Sequence, residues 1–243
     1  MSCNDNNGIG NLISANVYWN GGKLWHRDSN PDWSEMEWMI RDWVNWTWLS
    51  GDHIVEQHVH NLDVANWFFG AHPVKALGFG SRQRRVTGDQ YDNFSVDYVM
   101  EDGRQIHSMC RQINSCDGGV FETFHGSKAK ATTAGGKCQI LDAAGIQLYE
   151  APRADTDINP YVQEHINLIT CIRQNIPFNE AEETANSVMT AIMGRVSAYT
   201  GKEVSFEEMM NSDMKLGPDT FIMGNIGFMA NATVPVPGTL ERK

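Results

Sequence analysis

Residues 50–63, SGDHIVEQHVHNLD, hold three histidines and three carboxylates in fourteen positions. Three kinds of chemistry fit such a cluster: a metal site, a general acid–base pair, or a solvated polar helix face. At about 100° per residue on a helix, His53, Glu56, His60, Asp63 and Trp67 share one stripe. Val55, Val59 and Leu62 fall on a neighbouring stripe that would face a core. Glu56 and His60 are four apart, so their side chains can meet. A carboxylate beside an imidazole orients it and raises its proton affinity, which suits proton transfer near neutral pH. The metal alternative is weaker. HIVEQH misses the H-x-x-E-H spacing by one residue, and no cysteine lies nearby to complete a structural site. His58 points away from the stripe, toward packing or surface.

Other elements must position this face. A single helix is expected over 51–69, with Ser50 or Asp52 as candidate N-cap, Gly70 just past its end and Pro73 beyond. NLISANVYWN (11–20) has the branched and aromatic content of a strand, ended by Gly21-Gly22. Further strands are expected over 74–81, 93–102, 104–113, 119–126, 137–143 and 146–150, with Asp102-Gly103 as a hairpin turn. Two helices follow, over 160–175 and 180–201, opened by Pro160 and closed by Gly201. Strands in a run and then helices indicate an α+β fold, a largely antiparallel open sheet packed against helices. One domain over 1–243 is expected, with 203–243 as an extended C-terminal strap. Trp33, Trp38, Trp43, Trp46 and Trp48 crowd a short stretch, as core rings or as a sugar-stacking wall.

Composition narrows the partners. A net charge of −11, with no basic cluster beyond SRQRR at 81–85, argues against nucleic acid and anionic membranes. No run approaches the roughly 20 apolar residues of a membrane helix, so a soluble chain is expected; its compartment is not identified. The five cysteines are scattered and odd in number, against a complete disulfide framework. No G-x-G-x-x-G joins a strand to a helix, and there is no Walker A, G-x-S-x-G or H-E-x-x-H motif.

The order glycine-rich entry, carboxylate, three residues, histidine, two residues, aspartate falls on Gly51, Glu56, His60 and Asp63. It resembles the C-terminal domain of the Gfo/Idh/MocA oxidoreductases. GIGNLISANVYWNGG is similar to that family's first strand after its nucleotide domain. Residues 160–209 are similar to its closing helices, and VPVPG to the end of one bacterial branch. The resemblance implies NAD(P)-dependent oxidation or reduction of a sugar, cyclitol or glycoside hydroxyl. His60 would exchange a proton with the reacting hydroxyl and Glu56 would be its acidic partner. The family often has Asp where Glu56 stands and Gly where His58 stands. Asp63 would be a structural helper, and His53, with Trp25, Arg41 and Trp46 as walls, would bind substrate. The NAD or NADP site, its glycine fingerprint and the family's catalytic lysine are not in this sequence, and no metal is expected. An excised C-terminal domain, inactive alone, is therefore the expectation, with a homodimer or tetramer formed through the sheet face. A non-catalytic carbohydrate-binding or scaffolding module is the alternative, and a metal-dependent hydrolase or lyase a more distant one.

Overall fold

The computed structural model describes residues 8–152 and 158–239. Among these described residues nine strands form one sheet in the order β8-β7-β6-β5-β1-β4-β3-β2-β9. They are β1 Leu12–Gly21, β2 Lys75–Ser81, β3 Asn93–Val99, β4 Gln105–Gln112, β5 Gly119–Gly126, β6 Lys130–Thr132, β7 Gln139–Leu141, β8 Gln147–Glu150 and β9 Val204–Ser205. Every pairing is antiparallel except β1 with β4. Gly103 makes the β3–β4 turn at φ +85°, a conformation that glycine adopts without steric cost. The open, mainly antiparallel α+β sheet expected from the sequence is thus present; β6 and β9, too short to show a period of two, were not anticipated.

The helices are α1 Glu35–Arg41, α2 Thr47–Ser50, α3 His53–Glu56, α4 Val59–Phe69, α5 Pro160–Gln174, α6 Ala181–Thr200 and α7 Phe206–Met210. α3, α4 and α6 cover one face of the sheet. Ile54, Leu62, Ala65, Ala191 and Met193 meet Val17, Phe94, Val96, Tyr98, Ile106 and Phe124 in the main core. α6 lies very close to β2 and β3. A Cβ at Gly194 would stand 2.1 Å from the Tyr98 hydroxyl, and the Ser197 hydroxyl accepts the Gly78 amide at 2.9 Å. On the opposite face Leu77, Phe79 and Met109 are exposed.

One expectation fails here. The helix expected over 51–69 is two helices, interrupted at Gln57 (φ −118°, ψ −52°) and His58. The interruption turns His58 inward, where it is fully buried and its Nε2 lies 2.7 Å from the Ser108 hydroxyl on β4. A continuous helix would have sent His58 elsewhere.

Beyond α7 the described residues form no helix or strand and are strapped across the molecule. Glu35 at the start of α1 accepts the amides of Ile226, Gly227 and Met229 at 2.7, 2.6 and 2.5 Å, and Asn225 accepts the Glu35 amide at 2.8 Å. Ile226, Phe228 and Met229 close a second cluster over Met36, Met39 and Trp46. The irregular strap begins later than residue 203, because β9 and α7 occupy 204–210.

Candidate functional site

The site is built around a two-residue corner. Gly51 ends α2 at φ +79°, and Asp52 continues at φ +73°, ψ +160°. That region is essentially reserved for glycine and costs an L-residue about 1–3 kcal/mol. Asp52 is held there by its carboxylate, which is wholly buried and accepts four hydrogen bonds. Oδ1 takes the His53 amide at 2.6 Å and lies 3.1 Å from His53 Nδ1; Oδ2 takes the Tyr91 amide at 3.0 Å and the Tyr199 hydroxyl at 2.5 Å. Burial alone would push this carboxyl up. The bond and charge of His53, the charge of Arg85 and the Tyr199 hydroxyl outweigh it and hold Asp52 below the usual carboxylate range. Arg195 Nη1 donates to the Gly51 carbonyl at 2.9 Å and fixes the corner from α6.

His53, which opens α3, is buried with its ring 5.1 Å from the Phe94 ring. Nδ1 is committed to Asp52, while Nε2 has no hydrogen-bond partner among the described residues. Glu56 stands one turn on. Its Oε2 is likewise buried without a partner, and burial raises its pKa, partly offset by the charges of His53, His60 and Arg85. His60, in the first turn of α4, is exposed, with its ring 5.8 Å from that of Trp19 on β1. The structure thus groups His53, Glu56 and His60 electrostatically. Asp63, farther along α4, accepts the Ser187 hydroxyl at 2.6 Å and ties α4 to α6.

A second network buttresses the corner. Arg85 donates to the Tyr91 carbonyl at 3.0 Å, Asn45 Oδ1 at 2.5 Å and Gln112 Oε1 at 2.5 Å; Gln112 in turn donates to Gln57 Oε1 at 3.0 Å. Asn45 also donates to the Trp25 carbonyl at 3.3 Å. Trp25 is accordingly tied to the segment between α3 and α4 through Asn45, Arg85, Gln112 and Gln57. Its ring is exposed, edge-on to Trp43 at 6.1 Å. Arg41 is engaged elsewhere, bonded to Glu37 at 2.9 Å and lying over the Trp33 ring at 4.7 Å. Trp46 is a core ring, 4% exposed and edge-on to Trp38. Of the three proposed walls, only Trp25 offers an open aromatic face joined to the site by bonds.

Asp52, Arg85, Gln112, Gln57 and Trp19 were not singled out as site residues from sequence. Asp52 was visible only as a candidate N-cap and Arg85 only within a short basic run. Among the described residues, no group of three or more His, Cys, Asp or Glu side chains is placed to hold a metal ion. No helix among them is long and apolar enough to cross a membrane.

No protein-family model and no curated protein matches the sequence. Solved structures do match in fold. An aldose-aldose oxidoreductase from Caulobacter crescentus, complexed with glycerol, is similar over 81% of this chain and 56% of its own, at 14% identity and a TM-score of 0.61. GenD2 of gentamicin A biosynthesis, in complex with NAD, is similar over 84% of this chain and 58% of its own, at 16% identity and a TM-score of 0.59. A UDP-N-acetylglucosamine 3-dehydrogenase from Acidithiobacillus ferrooxidans is similar over 78% and 54%, at 14% identity and a TM-score of 0.57. The chain has the fold of the C-terminal domain of Gfo/Idh/MocA-type oxidoreductases, as the motif around Glu56 and His60 implied. It spans between half and three-fifths of the length of these structures.

Proposed function

We propose that this chain is the substrate-binding and oligomerising domain of an NAD(P)-dependent oxidoreductase acting on a sugar, cyclitol or glycoside hydroxyl. The observation that supports it most directly is Glu56: a half-buried carboxyl with one oxygen unpartnered, under the electrostatic influence of both His53 and His60. The similar structures include two oxidoreductases of sugars and one protein in complex with NAD, which point the same way. These residues suit the proton half of such a reaction. They do not suit the nucleotide half, because the sequence has no glycine fingerprint between a strand and a helix. A nicotinamide held by a separate nucleotide-binding domain would supply the hydride acceptor. Within this chain, exposed His60 would take the hydroxyl proton while the Trp19 ring limits its rotation, and Glu56 would stabilise the imidazolium that forms. Asp63 would act through its bond to Ser187, keeping α4 and α6 in register.

The exposed Leu77, Phe79 and Met109 support association through the open sheet face, giving a homodimer or tetramer. A second reading, a non-catalytic carbohydrate-binding module, draws on the exposed Trp25–Trp43 pair, with the Arg27 guanidinium 5.6 Å from the Trp25 ring.

Ligand-observed NMR with myo-inositol and UDP-N-acetylglucosamine, on the chain without cofactor, separates the two. Binding weakened about tenfold by either His60→Ala or Glu56→Ala, the loss of roughly one good hydrogen bond, is the expected result, with no reduction of NAD+ or NADP+ by the chain alone. Binding that ignores both substitutions but disappears in Trp25→Ala supports the module instead. Turnover by the isolated chain overturns the first reading, and a monomeric mass in sedimentation overturns the oligomer.

A further inference from the structure

Asp52 combines features that ordinary helix capping does not require. Its backbone is in a conformation suited to glycine, both carboxylate oxygens are saturated by donors, and it is completely shielded from solvent. With four hydrogen bonds already accepted, it has no lone pair to spare for a ligand, so whatever it does for the site it does through a neighbour. That neighbour is His53. A carboxylate only accepts, so His53 Nδ1 must carry a proton toward Asp52, and in the neutral ring Nε2 is then a bare acceptor. Nε2 is buried and unpartnered, and so is Glu56 Oε2 one helical turn away. Buried polar atoms nearly always find partners, and Glu56 feels the charge of His53, so a single group between them would serve both orphans.

We propose that Asp52 is the positioning residue of the site: it locks His53 in the Nδ1–H tautomer, so that His53 Nε2 and Glu56 Oε2 together hold one proton-bearing oxygen, a water or a substrate hydroxyl. The identification of that oxygen with a substrate hydroxyl rests on the function proposed above; the lock and the shared oxygen do not. Proton traffic balances without any redox partner. A water gives one hydrogen to Nε2 and the other to an ionised Glu56. A hydroxyl, with a single hydrogen, gives it to Nε2 and accepts one from a protonated Glu56. Asp52 stays anionic throughout. The titratable and charged groups around the Asp52–His53 pair are Glu56 on the same segment, His58 at the break before α4 and His60 on α4. Arg85, Asp89 and Tyr91 approach from the 82–92 loop, Tyr199 and Arg195 from α6, and Cys110 from β4.

The test is two-bond ¹H–¹⁵N NMR of the histidine rings in this chain, with the His53 signals assigned by His53→Gln. Near neutral pH, wild-type His53 should be in the Nδ1–H form. Asp52→Asn should convert a large fraction to Nε2–H, because an amide can turn its NH2 toward Nδ1. Tyr199→Phe, which removes a donor from the same carboxylate without touching Oδ1, should lower stability yet keep the Nδ1–H form. Glu56→Gln should shift the His53 Nε2 ¹⁵N resonance, since it changes the group that shares the oxygen with Nε2. Nε2–H in the wild type, an unchanged tautomer in Asp52→Asn, or an unmoved Nε2 resonance in Glu56→Gln would each overturn the proposal. If Asp52→Asn does not fold, the wild-type tautomer and Glu56→Gln decide. All of these are read without sugar or cofactor. An intact lock with no sugar binding would therefore count against the proposed function alone, and a missing lock in a chain that binds sugar against this inference alone.

Discussion

α5 and α6 are consecutive helices that the sequence announces with equal clarity, yet they live in different physical surroundings. α6 buries Ser187, Thr190, Ala191 and the whole run from Met193 to Thr200. None of the fifteen residues of α5 is buried, and its apolar Val162, Ile166 and Ile169 are exposed. Periodicity therefore says where a helix is, and says nothing about whether this chain supplies its partner. The cohesion of the molecule lies on the side where α6, α3 and α4 grip the sheet, which is also the side that carries the candidate site. The α5 stripe contributes little to that cohesion.

The sharpest way to probe the well-packed side is to remove its buried anion. Asp52→Ala leaves the His53 ring and the Tyr91 amide without an acceptor in a dry environment, and the Tyr199 hydroxyl with only the 3.4 Å contact to Thr47. Urea denaturation should show a loss of about 3–5 kcal/mol, in the range for breaking one partner out of a buried charge network. A loss below 1 kcal/mol would mean that the corner is held by backbone packing. Met193, fully buried on α6, tests the apolar half of the same region. Met193→Ala should cost about 2–4 kcal/mol, by lost transfer energy plus the cavity left behind.

The third probe uses acid. His58 is buried and neutral, and burial lowers its pKa from 6.5 to about 3. Between those two values the unfolded chain binds a proton that the folded chain refuses, so stability is lost as pH falls through this window. The slope is about 1.4 kcal/mol per pH unit for one full proton. Glu56, whose pKa is raised, acts in the opposite sense. The clean measurement is therefore the difference between wild type and His58→Asn, which cannot charge. The variant should be less stable at neutral pH, through loss of the Ser108 contact, and should show a flatter decline from pH 6.5 to 4.5. Parallel declines would show that some other group governs acid sensitivity.

What sequence reasoning could and could not see follows the same division. β1, β5, α5 and α6 were legible because their signals are local: alternation over 11–20, Pro160 at a helix start and Gly201 past a helix end. Glu56 and His60 were singled out by their spacing and by the resemblance that spacing carries, and the structure sets them in one electrostatic group. The break between α3 and α4 was not, because it depends on Ser108, fifty residues from His58, drawing an imidazole into the core. The tryptophan stretch left core and wall both open, and Trp46 goes to the core because strap residues such as Phe228 pack over its cluster. Asp52 escaped for another reason: an aspartate after a glycine suggests an N-cap, and only three-dimensional structure reveals the positive φ and the second pair of donors on Oδ2.

The smallest expected effect is the one that most directly decides the comparison. Ile166→Ser on α5 exchanges an exposed isoleucine for a polar residue of similar helix propensity. In α6 an equivalent change at Met193 would leave a polar group in the core. On α5 it alters only surface already in contact with solvent, and such substitutions usually fall within about 0.5 kcal/mol. Urea midpoints of the isolated chain should therefore be nearly superimposable with wild type. A clear loss of stability, above about 1 kcal/mol and shared by Ile169→Ser, would mean that the α5 stripe is covered in solution by this chain or by another copy of it. Concentration dependence of the midpoint separates those two cases, because only association makes stability rise with protein concentration.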